Sequence, residues 1–502
     1  MPLTVPVTEP LTVLVTGATG YIGGRLVPRL LAEGHLVRAM SRDTGRLRDV
    51  PWADRVSLVQ ADALDPVSLG PALAGVDVAY YLVHSIDTGP DFEERDRLAA
   101  QAFATAAREA GVGRIVYLGG PAPADEELSP HLASRHEVGE VLLASGVPTA
   151  VLQAAVIIGS GSASFEMLRH LTERLPAMIT PRWVRNRIQP IAVRDVLRYL
   201  VRCATLPPEV SRRFDIGGPD VLTYVEMMQR YAAAAGLHRR VIVPVPLLSP
   251  SLSAHWVNVV TPVPAALAKP LVRSLVNEVV CQEHDIARWV PDPPEGLVGF
   301  DEAVRLALQR VRDAAVETRW SAAVWPGAPS DPLPTDPDWS GASLYEDNRD
   351  TAVDATPGDL WRVVEGIGGD NGWYSWSAAW AARGLLDRLV GGVGLRRGRR
   401  DPHDVRVGET IDFWRVEEVT DGRLLRLRAE MRLPGRAWLE LRVDVDPDGR
   451  TRYSQRALFA PRGLAGHAYW WSVAPFHGVV FGGMVRNVRR AAERGAAARL
   501  AA

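Results

Sequence analysis

His131 and Arg135 stand four residues apart in the stretch SPHLASRHEVGE, Ser129 to Glu140, of this 502-residue chain. On a helix that spacing puts both side chains on one face. An imidazole, with a reference pKa of about 6.5, can move a proton near neutrality. A guanidinium keeps its charge and offers a fixed fork of donors. The cation should lower the imidazole pKa, so His131 reads as a neutral ring, a passable base and a poor acid. Such a base suits alcohol oxidation, or proton removal beside a carbonyl, better than carbonyl reduction. A positioned acid–base group is worth roughly 10²–10⁴ in rate. Arg135 reads as a grip on ligand oxygens. The structural alternative has His131 capping or packing at the helix start and Arg135 paired with Glu137 or Glu140.

Upstream elements must hold these residues against a ligand. LTVLVTGATGYIGGRLVPRLLAEGHLVRAMSRD reads as strand, glycine turn, helix, strand. The apolar run Leu11–Thr16 fits a buried parallel strand, and Leu26, Val27, Leu30 and Leu31 recur at helical spacing. Gly17 permits the tight turn, Gly20 lets backbone approach a pyrophosphate, and Gly23 lets the helix pack on the sheet. The helix N-terminus adds free N–H groups and a positive dipole end. Gly17, Thr19, Gly20, Tyr21, Ile22 and Gly23 are therefore the candidate dinucleotide cradle. The second strand ends in Ser41 and Arg42 rather than an acid, which favours a ribose 2′-phosphate, hence NADP(H) over NAD(H). Asp43 leaves NAD(H) open. Asp62 with Ala63 ends a third strand, at the place for an adenine contact. Leu82, Val83 and His84 end a fourth, followed by Ser85. The alternation continues through GRIVYLGG and PTAVLQAAVIIG, giving an α/β, doubly wound parallel sheet.

Composition limits the rest. A chain this long needs more than one core. The 47% hydrophobic and 23% charged residues belong to an ordinary globular protein. A net charge of −2 gives no pull toward nucleic acid. Two cysteines, Cys203 and Cys281, and no visible secretory signal point to the cytoplasm. Two stretches lack charge. Val241–Ala268 is broken by five prolines and reads as turns and short helices. Gly463–Val485, followed by Arg486, Arg489 and Arg490, reads as a buried C-terminal helix, with peripheral membrane contact the less favoured alternative. No metal site is expected.

TGATGYIG, Asp62, YLVHS and the strand–helix rhythm, over about residues 10–310, resemble the short-chain dehydrogenase/reductase superfamily in its extended or atypical branch. Arg42 is like that of NmrA-like and isoflavone-reductase-like members, which use NADPH, and of the Rossmann-fold accessory subunit of respiratory complex I. The resemblance implies a catalytic Tyr-x-x-x-Lys where His131 and Arg135 stand, and a serine where Gly119 and Gly120 stand. The serine is lost unless Ser129 or Ser85 replaces it. Arg135 could keep the lysine's ribose contact but not a proton relay. Small residues after the sixth strand should pass the nicotinamide, with Arg182, Trp183 and Arg187 as a pocket rim or as solvated surface.

A Pro-, Asp- and Ser-rich linker over 321–345 separates a first domain, 1–320, from a second, 346–502. In the second, Thr356 and Pro357 open a helix, and RLLRLRAEMRL alternates Leu425, Leu427, Ala429 and Met431 with charged residues, as a hairpin strand does. Strand, helix, antiparallel sheet and long final helix are similar to the START-like (SRPBCC) helix-grip fold. GIGGDNGWYSW, GGVGLRRGRRDP, DFWRV and AEMRLPGRAWLE resemble an uncharacterised bacterial domain fused behind atypical dehydrogenases. Trp373, Tyr374, Trp376, Trp380 and Trp414 either line a cavity or are core. Arg396, Arg397, Arg399 and Arg400 suit a surface turn or an anionic mouth. Two functions stand: an NADP(H)-dependent oxidoreductase acting on a hydrophobic or quinone-like molecule that the second domain binds, or a non-catalytic NADP(H)-binding sensor or assembly factor. Oligomeric state is not readable.

Overall fold

The computed structural model describes residues 9–48, 50–84, 91–121, 128–245, 261, 265–274, 276–315, 344–369, 372–375, 405–446 and 448–500. The chain forms two compact units, Met1–Gly341 and Ala342–Ala502. Most of the Pro-rich segment lies outside the described residues, and Tyr345, placed at its end by sequence, begins the second unit's first strand.

The first unit is built on β1 (Thr12–Val15), α1 (Tyr21–Ala32), β2 (Leu36–Ser41), β3 (Ser57–Gln60), α2 (Pro66–Leu73) and β4 (Val78–Tyr81). It continues with α3 (Phe92–Glu109), β5 (Arg114–Gly119), α4 (Pro130–Leu143), β6 (Thr149–Ala154), α5 (Ala163–Arg174), α6 (Val193–Cys203) and β7 (Arg212–Ile216). The seven strands are parallel, in the order β3-β2-β1-β4-β5-β6-β7. β4, β5 and β6 are buried along their whole length, which is why they read as unbroken apolar runs. Strand order reverses between β1 and β4, and at such a point the carboxyl ends of the strands open a crevice. Thr16 stitches that point: its hydroxyl donates to the Tyr80 carbonyl at 3.0 Å and accepts from the Leu82 N–H at 2.9 Å.

The Val241–Ala268 stretch begins differently from expectation. Val241–Val245 is a strand, parallel to Ala177–Pro181. Its β-branched residues pair with a neighbouring strand, and Pro244 is accommodated within the two-stranded pairing, opposite Thr180.

The second unit has β8 (Tyr345–Val353), α7 (Pro357–Glu365), β9 (Thr410–Ile411), β10 (Trp414–Thr420), β11 (Leu424–Ala429), β12 (Gly435–Val445), β13 (Thr451–Pro461) and α8 (Gly463–Leu500). The sheet is antiparallel, in the order β8-β13-β12-β11-β10-β9. Thr356 caps α7 by accepting from the Asp359 N–H at 3.2 Å, with Pro357 in the first turn. Leu425, Leu427, Leu439, Leu441 and Tyr453 pack with Met484, Val485 and Val488 of α8.

The opposite sheet face carries charge in register. Glu418, Arg426, Glu440 and Arg456 lie directly across from one another on successive strands. Arg426 reaches Glu418 at 2.7 Å and Glu440 at 2.8 Å, and these central two side chains are 1% and 0% exposed. Trp373 and Trp414 are core residues; Trp373 stacks on Phe413 at 6.0 Å and donates its indole N–H to Asp412 at 2.8 Å. Trp376, Trp380 and Arg396, Arg397, Arg399 and Arg400 lie outside the described residues. The final helix corrects the reading of a wholly buried segment: only one side is buried, while Trp471 and Phe476 are exposed. Among the described residues no helix is long and apolar enough to cross a membrane.

Candidate functional site

A cleft of about 290 Å³ lies at the carboxyl ends of β1, β4, β5 and β6. Its floor is the β1–α1 turn. Gly17 has φ +62°, and a Cβ there would stand 2.7 Å from the Leu82 carbonyl oxygen, so the turn closes tightly on the end of β4. A Cβ on Gly23 would stand 2.3 Å from the Gly17 oxygen. Both positions exclude any larger residue by contact with backbone, which cannot move aside. Gly20 caps α1 without a side chain, leaving the first-turn N–H groups to the cleft. Gly17, Gly20, Tyr21, Ile22 and Gly23 all line it.

The opposite wall brings together Leu82, Val83, His84, His131 and Arg135. α4 supplies the last two. Ser129 is its N-cap, accepting from the Leu132 N–H at 3.4 Å, and Pro130 follows at the first helical position. Arg135 extends across the end of β5 and donates to the Leu118 carbonyl at 3.1 Å. It does not pair with Glu137 or Glu140; Arg97 lies 3.8 Å from Glu137, and Arg213 pairs with Glu140. Among the described residues that line the cleft none is acidic, and Arg135 is the one with a fixed charge. Such a lining suits a polyanionic ligand.

Burial pushes the His131 imidazole well below its ordinary range, with Arg135 and then His84 adding in the same direction. The ring is neutral at pH 7, as its spacing from Arg135 suggested. Crowding by protein and then the Arg135 charge also lower His84. More than a third of His84 meets solvent, so its shift is smaller than full burial would give.

Other expected contacts sit apart. Ser41 and Arg42 end β2 on the far side of the turn. The Ser41 hydroxyl donates to the Asp43 carbonyl at 2.8 Å, while Arg42 is exposed with no ion-pair partner among the described residues. Asp62 follows β3 and accepts the Leu64 N–H at 3.0 Å; Ala63 beside it is buried. Thr19 is half-buried in the turn. These five residues do not line the cleft itself.

Contacts narrow two open alternatives. Arg182, Trp183 and Arg187 do not line the cleft: Trp183 packs in a neighbouring apolar cluster, and Arg187 pairs with Glu278 at 2.5 Å. Ser129 does not replace the lost serine, because its hydroxyl caps α4 and lies 3.2 Å from Ser274 Oγ. Ser85 lies outside the described residues. The glycines at the serine position have a packing cause. A Cβ on Gly119 would meet Tyr117 at 2.9 Å, and one on Gly120 would meet Leu132 at 3.0 Å.

Sequence reasoning missed one wall. Leu271, Ser274 and Val279 come from far along the chain, and Ser129 and Asn277 tie that segment to α4, the Ser129 N–H donating at 3.4 Å. Ser162, Ala163 and Ser164 at the start of α5 complete the lining. Glu166, fully buried, holds their loop by accepting the Gly161 N–H at 2.9 Å.

Residues 17–158 match the family described as NAD(P)H-binding, and residues 339–484 match a protein family of unknown function (DUF2867). The chain is 34% identical over 111 residues to cinnamoyl-CoA reductase 1 of Oryza sativa subsp. japonica, covering 21% of this chain and 33% of that protein. It thus spans a third of that relative's length. It is 27% identical over 227 residues to the NAD(P)H azoreductase of Xenophilus azovorans, covering 45% of this chain and 74% of that one. A solved structure similar to this chain is the NADPH-dependent quinone oxidoreductase of Escherichia coli complexed with NADPH. The TM-score is 0.48 at 18% identity, over 59% of this chain and 98% of that one. The first unit is therefore a Rossmann-like domain with a seven-stranded parallel sheet that matches an NAD(P)H-binding family, joined in one chain to a domain that matches a family of unknown function.

Proposed function

We propose that the protein is an NADPH-dependent oxidoreductase that reduces a hydrophobic, quinone-like molecule. The observation that carries this reading is the facing of the glycine turn and of His84, His131 and Arg135 across one cleft with no acid in its lining. NADPH, when bound, supplies a hydride. Gly17, Gly20 and Gly23 would admit its pyrophosphate at the α1 N-terminus, Arg135 would hold ribose or acceptor oxygens, and Arg42, exposed and without an ion-pair partner among the described residues, would meet the 2′-phosphate. Asp62 would take the adenine amino group.

A neutral His131 bears on the acceptor. It is a poor proton donor, so an acceptor that requires a proton as the hydride arrives is disfavoured. A quinone suits the site: hydride addition leaves a stabilised oxyanion, which Arg135 can neutralise and water can protonate afterwards. Two electrons and one proton leave NADPH together, and the second proton comes from solvent. The azoreductase relative supports an extended, planar acceptor. The second unit is read as a START-like helix-grip module that binds the hydrophobic ligand, since strand, helix, antiparallel sheet and long final helix follow in that order.

A second reading, a non-catalytic NADP(H) sensor or assembly factor, is favoured by the packed glycines at 119 and 120 and by the absence of the Tyr–Lys pair. Incubation of the purified chain with NADPH and a panel of quinones, azo dyes and carbonyls separates the two. Consumption of NADPH with quinones supports the enzyme; saturable NADPH binding without consumption on any member supports the sensor.

A further inference from the structure

The first half of α8 carries large apolar side chains on both its inner and its outer face. Its two histidines face the protein: His467 Nδ1 lies 2.8 Å from the Tyr345 hydroxyl, and His477 Nδ1 lies 3.5 Å from Asp347. Trp470 and Phe481 are buried on the inner face, and a second set of large apolar side chains faces outward. Leu464 is 53% exposed, Trp471 67%, Phe476 61% and Val479 59%. Leu464, Ala468, Trp471, Pro475 and Val479 follow at three- and four-residue steps, so they form one stripe, with Phe476 on its flank. A surface helix normally shows water a polar face, and a contiguous exposed apolar patch of this kind marks an interaction surface.

The charges that this part of the helix itself carries all have one sign. From Arg462 to Ala492 the chain carries Arg462, Arg486, Arg489 and Arg490 and no aspartate or glutamate. Arg486 lies seven residues beyond Val479, on the same stripe, and both Arg486 and Arg490 are exposed. An aromatic and aliphatic stripe that continues into arginines is complementary to a surface with an apolar interior and anionic headgroups. We propose that this face of α8 docks on an anionic phospholipid surface. Trp471 and Phe476 enter the boundary between headgroups and acyl chains, while Arg486 and Arg490 meet phosphates. Docking would hold the chain at the membrane without spanning it.

The test is co-sedimentation of the full chain with phosphatidylglycerol–phosphatidylcholine vesicles and with phosphatidylcholine vesicles alone. The proposal predicts pelleting with the anionic vesicles, weakened by salt, and little with the neutral ones. Arg486→Gln and Arg490→Gln should each weaken partitioning about fivefold, from about 1 kcal/mol per charge at an anionic surface. Trp471→Glu with Phe476→Glu should weaken it by at least about tenfold while NADPH binding by the first unit is unchanged. Because the arginine variants leave the stripe intact, they read the proposal even if the aromatic variant misfolds. No pelleting with anionic vesicles overturns it, as does equal, salt-insensitive pelleting with neutral ones. A chain that is dimeric in sedimentation, becomes monomeric on Trp471→Glu and ignores vesicles also overturns it, and assigns the face to a second copy.

Discussion

Arg135 Nη1 donates to the carbonyl oxygen of Leu118 at 3.1 Å, which hangs the guanidinium of α4 across the end of β5 and over the cleft. The Tyr117 hydroxyl donates to the Arg135 carbonyl at 3.2 Å, so strand and helix are joined both ways. Arg135 is thereby aimed by backbone and, among the described residues, has no carboxylate partner.

Replacement of Arg135 by leucine should weaken NADPH binding about tenfold or more, since hydrogen bonds to a charged group contribute about 1.5–3 kcal/mol. Lysine at this position should recover part of the loss. Equilibrium titration followed by nucleotide fluorescence checks both.

Arg42→Glu should weaken NADPH far more than NADH, because only the former carries the phosphate that the exposed guanidinium would meet. Parallel titrations with the two nucleotides measure the ratio, and equal losses would remove Arg42 from the site.

His131 makes stability fall in acid. Its folded pKa lies well below its unfolded value of about 6.5. Above that value both states are neutral and the ring contributes nothing. As pH falls through it, the unfolded chain binds a proton that the folded chain refuses, so stability is lost until the folded pKa is reached. His131→Gln should flatten this part of the pH dependence in urea unfolding between neutral and mildly acid pH. An unchanged slope would mean that the ring titrates normally in the fold.

The second unit should be sensitive to Arg426→Leu. The change strands Glu440, 0% exposed, without its central partner, and breaking such a buried pair costs roughly 3–5 kcal/mol. Calorimetry should show the loss in the second unit's transition, with NADPH binding by the first unit retained.

What could be read in the sequence follows from the range of each signal. The glycine turn between β1 and α1 and the alternation of Leu425 and Leu427 with Arg426 and Arg428 are local patterns, and the chain folds as they indicate. Their consequences at a distance were hidden. Period-two alternation places Arg426 on an outer face, but only the register with Glu418 and Glu440 shows that it is buried there. Ser274 meets Ser129 across 145 residues, and no local pattern announces that contact. Arg187 resembled a pocket cation until Glu278, 91 positions on, took it as an ion-pair partner.

On the proposed reading the cleft between the glycine turn and α4 holds NADPH. The most direct test is equilibrium titration of NADPH into the wild-type chain and into Gly23→Val, whose side chain would meet the Gly17 backbone at the heart of the cradle. The expected result is one saturable site per chain in the wild type and its loss in a Gly23→Val protein whose second unit still unfolds cooperatively. Equal binding by the two proteins, or no saturable binding by the wild type, would contradict it.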